Sequence, residues 1–177
     1  EGTRQAVDRG ATRAITLVRN DNVLPLSASG SKVLVVGSRA GFVKEFGEAL
    51  GKTGANVSVV TFDDHPTADQ AAQVQQAAGS VDAVFALTYN VAENTEQTDL
   101  VNALHGAGRK VIAVAVGNPY DVGRYGSAAA LCTYSDQSLM ATPLATIITG
   151  GRKPEGKLPV AIPTSEGAIP VGTCLSW

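Results

Sequence analysis

Five short polar clusters each follow an apolar run of the sequence, and they hold the side chains best suited to chemistry. They are Gly37-Ser38-Arg39, Asp63-Asp64-His65, Tyr89-Asn90, Asn118-Pro119-Tyr120-Asp121 and Tyr134-Ser135-Asp136. The last three combine hydroxyl, amide and carboxylate groups, a set that suits a polyhydroxylated ligand better than an apolar or phosphorylated one. The same residue types also cap helices and shape turns, so each has a structural reading beside the chemical one. Glu93 and Glu96 lie in the polar stretch after Tyr89-Asn90. Cleavage of a glycosidic bond needs two carboxylates flanking the scissile bond, and nothing in the spacing of these two alone singles them out for it. They equally fit a solvated helix start, where acidic residues complement the dipole.

Other constellations are incomplete. Gly37-Ser38-Arg39-Ala40-Gly41 places bulky Arg39 where a dinucleotide-binding turn needs its second glycine, and no Walker loop is present. Asp63-Asp64-His65 has metal-ligand residue types, but neighbours on an extended segment point in different directions. The chain holds two histidines, His65 and His105, and two cysteines, Cys132 and Cys174. The cysteines read as two separate buried thiols, with a disulfide tying the tail to a strand as the alternative. No G-x-S-x-G elbow occurs, and Cys132 falls mid-strand, which favours an inert thiol. No cofactor is expected.

The elements that must position these clusters follow from the apolar pattern. Val7, Ala11, Ala14, Ile15 and Val18 mark one face of a helix closed by Asn20-Asp21-Asn22, before an extended Val23-Leu24-Pro25-Leu26. Near-continuous apolar runs at Lys32–Gly37, Val57–Phe62, Val81–Leu87, Lys110–Val116 and Ala129–Tyr134 read as strands buried on both faces. Helices are expected from Phe42 to Leu50, from Thr67 (as N-cap) to Ala78, from Glu96 to His105, and from Asp136 to Thr149. Pro143 places a restart in the last of these, with Thr142 as cap. Lys157–Pro163 reads as an edge strand, because proline withholds a ladder hydrogen bond. Strands separated by such helices build right-handed βαβ units. The fold class is therefore α/β: a three-layer α/β/α sandwich with a mostly parallel five- to six-stranded sheet, one domain over residues 1–177. In such sheets ligands bind beyond the carboxyl ends of the strands, which is where the polar clusters lie.

Composition bounds the partners. The chain has 177 residues, 44% hydrophobic and 17% charged, enough to bury a core and far from a disordered composition. A net charge of −2 with scattered Lys and Arg gives no basic footprint for nucleic acid or an anionic membrane. The longest apolar run, Val111–Val116, is too short to span a bilayer, and the opening Glu1–Gln5 is polar rather than leader-like.

Several segments, taken in order, resemble the C-terminal domain of family 3 glycoside hydrolases. The entry Ala11-Thr12-Arg13-Ala14-Ile15-Thr16-Leu17-Val18-Arg19-Asn20 with Leu24-Pro25-Leu26 is similar to the family's opening pattern. Thr88-Tyr89-Asn90 and Val114-Ala115-Val116-Gly117-Asn118-Pro119-Tyr120-Asp121 resemble the branch containing β-N-acetylglucosaminidases. Gly150, Pro154 and Gly156-Lys157-Leu158-Pro159-Val160 match the closing pattern, and Val171–Trp177 resembles its ending, with Cys174 standing where glycine is usual. The resemblance runs from about Arg4 to Trp177.

It implies a parent enzyme that hydrolyses O-glycosyl bonds of β-linked sugars with retention. An N-terminal (β/α)8 barrel would carry the aspartate nucleophile and, in the N-acetylglucosaminidase branch, an Asp–His acid/base pair. In β-glucosidase-type members the acid/base glutamate comes from this domain, on the loop that here holds Glu93 and Glu96. The expected role is to pack on that barrel and border the sugar site through Tyr89, Asn90, Asn118, Tyr120 and Asp121. The chain alone is then expected to be inactive. A secreted or cell-envelope parent is implied, while the sugar, its linkage, and water or phosphate as acceptor stay open. The competing reading is a free-standing small-molecule or nucleotide-binding α/β module.

Overall fold

The computed structural model describes residues 2–177. Helix α1 (Gly2–Ala14) leads into strand β1 (Thr16–Asn20), followed by β2 (Lys32–Gly37), α2 (Ala40–Gly51), β3 (Asn56–Thr61) and α3 (Ala68–Ala78). Then come β4 (Ala83–Thr88), α4 (Thr95–Gly106), β5 (Val111–Ala115), β6 (Ala129–Cys132) and α5 (Ala141–Ile148). A hairpin of β7 (Ile162–Thr164) and β8 (Gly167–Ile169) precedes the end of the chain. A 3-10 turn over Pro119–Gly123 joins β5 to β6.

The six-stranded sheet has the order β1-β6-β5-β4-β2-β3. All pairs are parallel except β1 with β6. Every residue of β4, β5 and β6 is buried, which is why those runs carry apolar residues without alternation. Alternate side chains of each strand feed two cores. One holds Phe42, Phe46, Leu50 and Phe85 with Leu144 and Ile148, under α1, α2 and α5. The other holds Leu34, Val36, Val74, Leu100 and Leu104 under α3 and α4. The Phe46 and Phe85 rings meet edge to face at 5.5 Å, an arrangement adding about 1 kcal/mol beyond area burial. The expected three-layer sandwich with a mostly parallel sheet is the observed one.

Four local expectations change. The run Val57–Phe62, read as buried on both faces, supplies the edge strand β3, whose residues are all exposed or half-buried because only β2 flanks it. The helical spacing read through Val18 stops at Ala14, because residues 16–20 pair antiparallel with β6 and form the sheet edge. A backbone partner more than a hundred residues away overrides the local periodicity. The strand expected over Lys157–Pro163 is short, starts at Ile162, and pairs with β8 in a separate two-stranded sheet. Of the two thiols, Cys132 is buried but Cys174 is exposed, and both are free. Pro143 does fall in the first turn of a restarted helix, as its missing N–H requires, although Met140 rather than Thr142 occupies the cap position. Thr67 caps α3 through a full capping box with Gln70.

Candidate functional site

From β2 the chain crosses to β3 on one side of the sheet and later to β4 on the other, so the loops after β2 and β4 diverge. Open parallel sheets form their ligand crevice at this divergence. Arg39, directly after β2, occupies it. Its guanidinium lies 3.3 Å from the centroid of the Tyr89 ring on the loop after β4. It also stands 3.9 Å from the Asp64 carboxylate, after β3, and 3.7 Å from that of Asp136, after β6. One planar cation thus spans four loops, stacking on an aromatic face while pairing with two acids, which guanidinium geometry permits and a lysine would not.

Gln97 ties the same loops from beneath. It is buried on the core face of α4, where its carbonyl oxygen accepts from the Tyr89 amide at 3.0 Å. Its amide nitrogen donates to the Asp64 carbonyl at 2.8 Å. The sequence carries a signal for it. Gln97 shares the i, i+3, i+4, i+7 face with Leu100, Val101 and Leu104, and a polar residue on a buried stripe must find partners. Thr88 and Tyr125, also outside the sequence-based candidates, share a buried hydrogen bond of 2.8 Å under the same edge.

The sequence-named residues fall into distinct environments. Tyr89 is half-buried beneath Arg39, and Asn90 adopts a left-handed backbone (φ 47°) that turns the chain. The Asn90 carbonyl accepts from the amides of Glu93 and Asn94. Asn118 caps the 3-10 turn by accepting the Tyr120 amide at 3.0 Å, and Tyr120 is exposed. Asp121 points inward and is 1% exposed. Its carboxylate accepts from the Val91 amide at 3.1 Å and the Thr88 hydroxyl at 3.4 Å. Burial pushes its pKa up to about 6, against the opposing pull of those hydrogen bonds. Asp121 therefore fastens the loop after β4 to the loop after β5.

Glu93 and Glu96 are both exposed. Glu96 accepts from His65 Nδ1 at 3.0 Å, and this bond holds the glutamate below the usual carboxylate range and raises His65. Glu96 in this pairing is a carboxylate at neutral pH, not a proton donor. Replacing it by glutamine is expected to lower the His65 pKa. Imidazole titration by NMR reads this, and an unmoved His65 would mean that the pair does not form in solution. Burial pushes the Cys132 thiol up to about 12, which makes it inert at neutral pH, although it ends β6 instead of lying mid-strand as expected. No cluster of three or more metal-ligating side chains occurs among the described residues.

The carboxyl edge thus offers a braced polar rim, with amide, phenol and carboxylate groups. A cleft of about 670 Å³ lies elsewhere, between Arg19, His105, Arg124 and Glu166, and none of the seven sequence-named residues lines it.

A comparison with protein-family models matches residues 15–175 to the glycosyl hydrolase family 3 C-terminal domain. The chain belongs to this family.

Solved structures with the same fold include a family 3 β-N-acetylglucosaminidase from Paenibacillus sp. str. FPU-7. It is 25% identical over 86% of this chain and 31% of that chain, with a TM-score of 0.75. A β-glucosidase from Listeria innocua, solved with isofagomine, is 17% identical over 88% of this chain and 26% of its own, with a TM-score of 0.77. A fungal multi-domain β-N-acetylglucosaminidase of the family is 23% identical over 92% of this chain and 19% of its own, at 0.75. The latter two show the shared fold. No curated protein matches the chain. This family 3 C-terminal domain spans between 19% and 31% of the length of these three solved chains.

Proposed function

We propose that this domain serves a retaining glycosidase by packing on a (β/α)8 barrel that carries the nucleophile, with its carboxyl edge as one wall of the sugar site. Residues 1–177 act as one unit of that enzyme. The observation that carries the reading is the bracing of four loops by Arg39 and Gln97 at the sheet's switch point, which holds a polar rim in fixed geometry. A rim of this kind suits a site completed by a second body. Tyr89, Asn90, Asn118 and Tyr120 border the sugar, and Asp121 sets the position of the loop that bears Tyr89 and Asn90. The preferred substrate class is β-linked N-acetylglucosamine, supported by family membership and by the 25% likeness to a β-N-acetylglucosaminidase. No cofactor takes part.

Glu93 and Glu96 do not form a carboxylate pair across a cleft, and Glu96 is committed to His65. On this reading the other half of the carboxylate pair needed for retention comes from the barrel. The purified 177-residue chain is expected to give no hydrolysis of p-nitrophenyl β-N-acetylglucosaminide above the buffer rate. Turnover that survives purification and disappears in Glu93→Gln or Glu96→Gln would overturn the proposal and place the chemistry here.

A further inference from the structure

The two edges of the sheet are treated differently. At the β1 edge the C-terminal segment satisfies the outer backbone groups: Leu175 donates to the Leu17 carbonyl, and Gly156 to that of Ile15. At the other edge β3 has no such cover among the described residues. Its inward-facing amides are identified by Asn56 donating to Ser31 and Phe62 donating to Gly37, with in-register pairing to β2 between them. Alternation then leaves the N–H and C=O groups of Val57, Val59 and Thr61 facing outward. The strand Asn-Val-Ser-Val-Val-Thr has no charge, proline or bulge to block pairing, the usual guards of an exposed edge, and Val59 is 39% exposed.

We propose that β3 pairs antiparallel with β3 of a second copy of this chain, about a two-fold axis through Val59. Outward-facing residues must meet outward-facing residues in such a pairing. The axis at Val59 achieves this, placing Val59 on Val59 and Val57 on Thr61 of the other copy. The flanking helix fits the same axis. Gly47 of α2 lies against both Val59 and Val57, so its small size lets the helix sit close to the edge. Since α2 runs against the strand, Lys44 lies toward Thr61 and Glu48 toward Asn56. The two-fold therefore sets Lys44 of each copy opposite Glu48 of the other. Both side chains are exposed, and neither makes an ion pair among the described residues. An isologous contact with reciprocal charges is what a closed dimer requires.

Analytical ultracentrifugation of the 177-residue chain from about 1 to 100 µM tests this, under reducing conditions so that exposed Cys174 forms no crosslink. A dimer is expected. Val59→Lys puts two cations on the axis and is expected to leave only monomer. Lys44→Glu and Glu48→Lys each place like charges at both symmetric contacts and should weaken the dimer about tenfold. The double swap should return it to within about threefold of the parent. Far-UV circular dichroism checks each fold, and if Val59→Lys fails to fold, the charge series alone decides. A wild-type chain that stays monomeric at the top concentration overturns the proposal, as does a dimer indifferent to these substitutions.

Discussion

Gly156→Ala is expected to lower the unfolding free energy by about 3 kcal/mol or more, enough to leave much of a marginally stable domain unfolded. A methyl group at this position would collide with the carbonyl oxygens of both Ala14 and Ile15. These are backbone atoms at the junction where α1 ends and β1 begins, so no side-chain rotation relieves the contact. The Gly156 amide also donates to the Ile15 carbonyl at 3.0 Å, and any backward shift of the chain to make room breaks that bond. The segment beyond it carries buried Leu158 and buried Ile162 into the second core, so the displacement propagates. Gly41→Ala is the matching control, because that glycine lies in α2 with open space around its α-carbon. It should be neutral or stabilising by up to about 1 kcal/mol. Urea unfolding of both variants reads the difference as a shift in midpoint. A Gly156→Ala midpoint equal to that of wild type would mean that the tail does not cross the α1–β1 junction as described. The same crowding gives a physical reason for the glycine in the closing pattern that the sequence shares with its family.

The Asp121 carboxyl is the second point of large effect, and its sign is set by burial. Its folded pKa of about 6 lies above the ordinary value of 3.8, so the folded chain holds its proton over a range where the unfolded chain has lost it. Its contribution to stability is therefore fully present below pH 3.8 and is lost as the pH rises through about 6. A shift of that size corresponds to roughly 3 kcal/mol. Asp121→Asn removes the titration while its amide oxygen can still accept the Val91 N–H. The variant is expected to match wild type near pH 4 and to exceed it by about 2 kcal/mol at pH 8. Asp121→Ala instead leaves the buried Val91 amide without its acceptor, and should cost about 1–3 kcal/mol at pH 5. Unfolding midpoints measured from pH 4 to 8 separate these outcomes. A constant difference between wild type and Asp121→Asn across that range would show that the carboxyl is not desolvated. Because this residue fastens the loop carrying Tyr89 and Asn90, amide exchange at Val91 should also quicken in Asp121→Ala.

These two positions illustrate different depths of legibility. Gly156 is visible in the sequence only as part of the closing pattern of the resemblance, and its reason is a contact with Ala14 and Ile15 at the other end of the chain. Asp121 is visible in the sequence as a carboxylate beyond a strand, where its type and place suggest a residue of the polar rim. Nothing local could tell that its side chain turns inward to Val91, since that depends on where the neighbouring strand's loop runs. By its bulk alone Arg39 is an obstacle to a dinucleotide-binding turn. That it also bridges Tyr89, Asp64 and Asp136 follows from strand order, which places three loops within reach of one long side chain.

What the sequence determined by itself is what depends on short-range physics. The apolar runs of β2, β4, β5 and β6, the Thr67 N-cap, the restart at Pro143 and the βαβ alternation each rest on residues within a turn or a strand of one another. The tertiary structure decided what depends on distant backbone. Residues 16–20 could lie on a helix by spacing, yet they form an edge strand because β6 offers hydrogen-bond partners that a solvated helix end does not. The tail strand is short and pairs with its own hairpin, since Pro163 and the tight path at Gly156 keep it out of the main sheet. The polar rim became one structure only when the sheet's reversal at β2 brought its loops together.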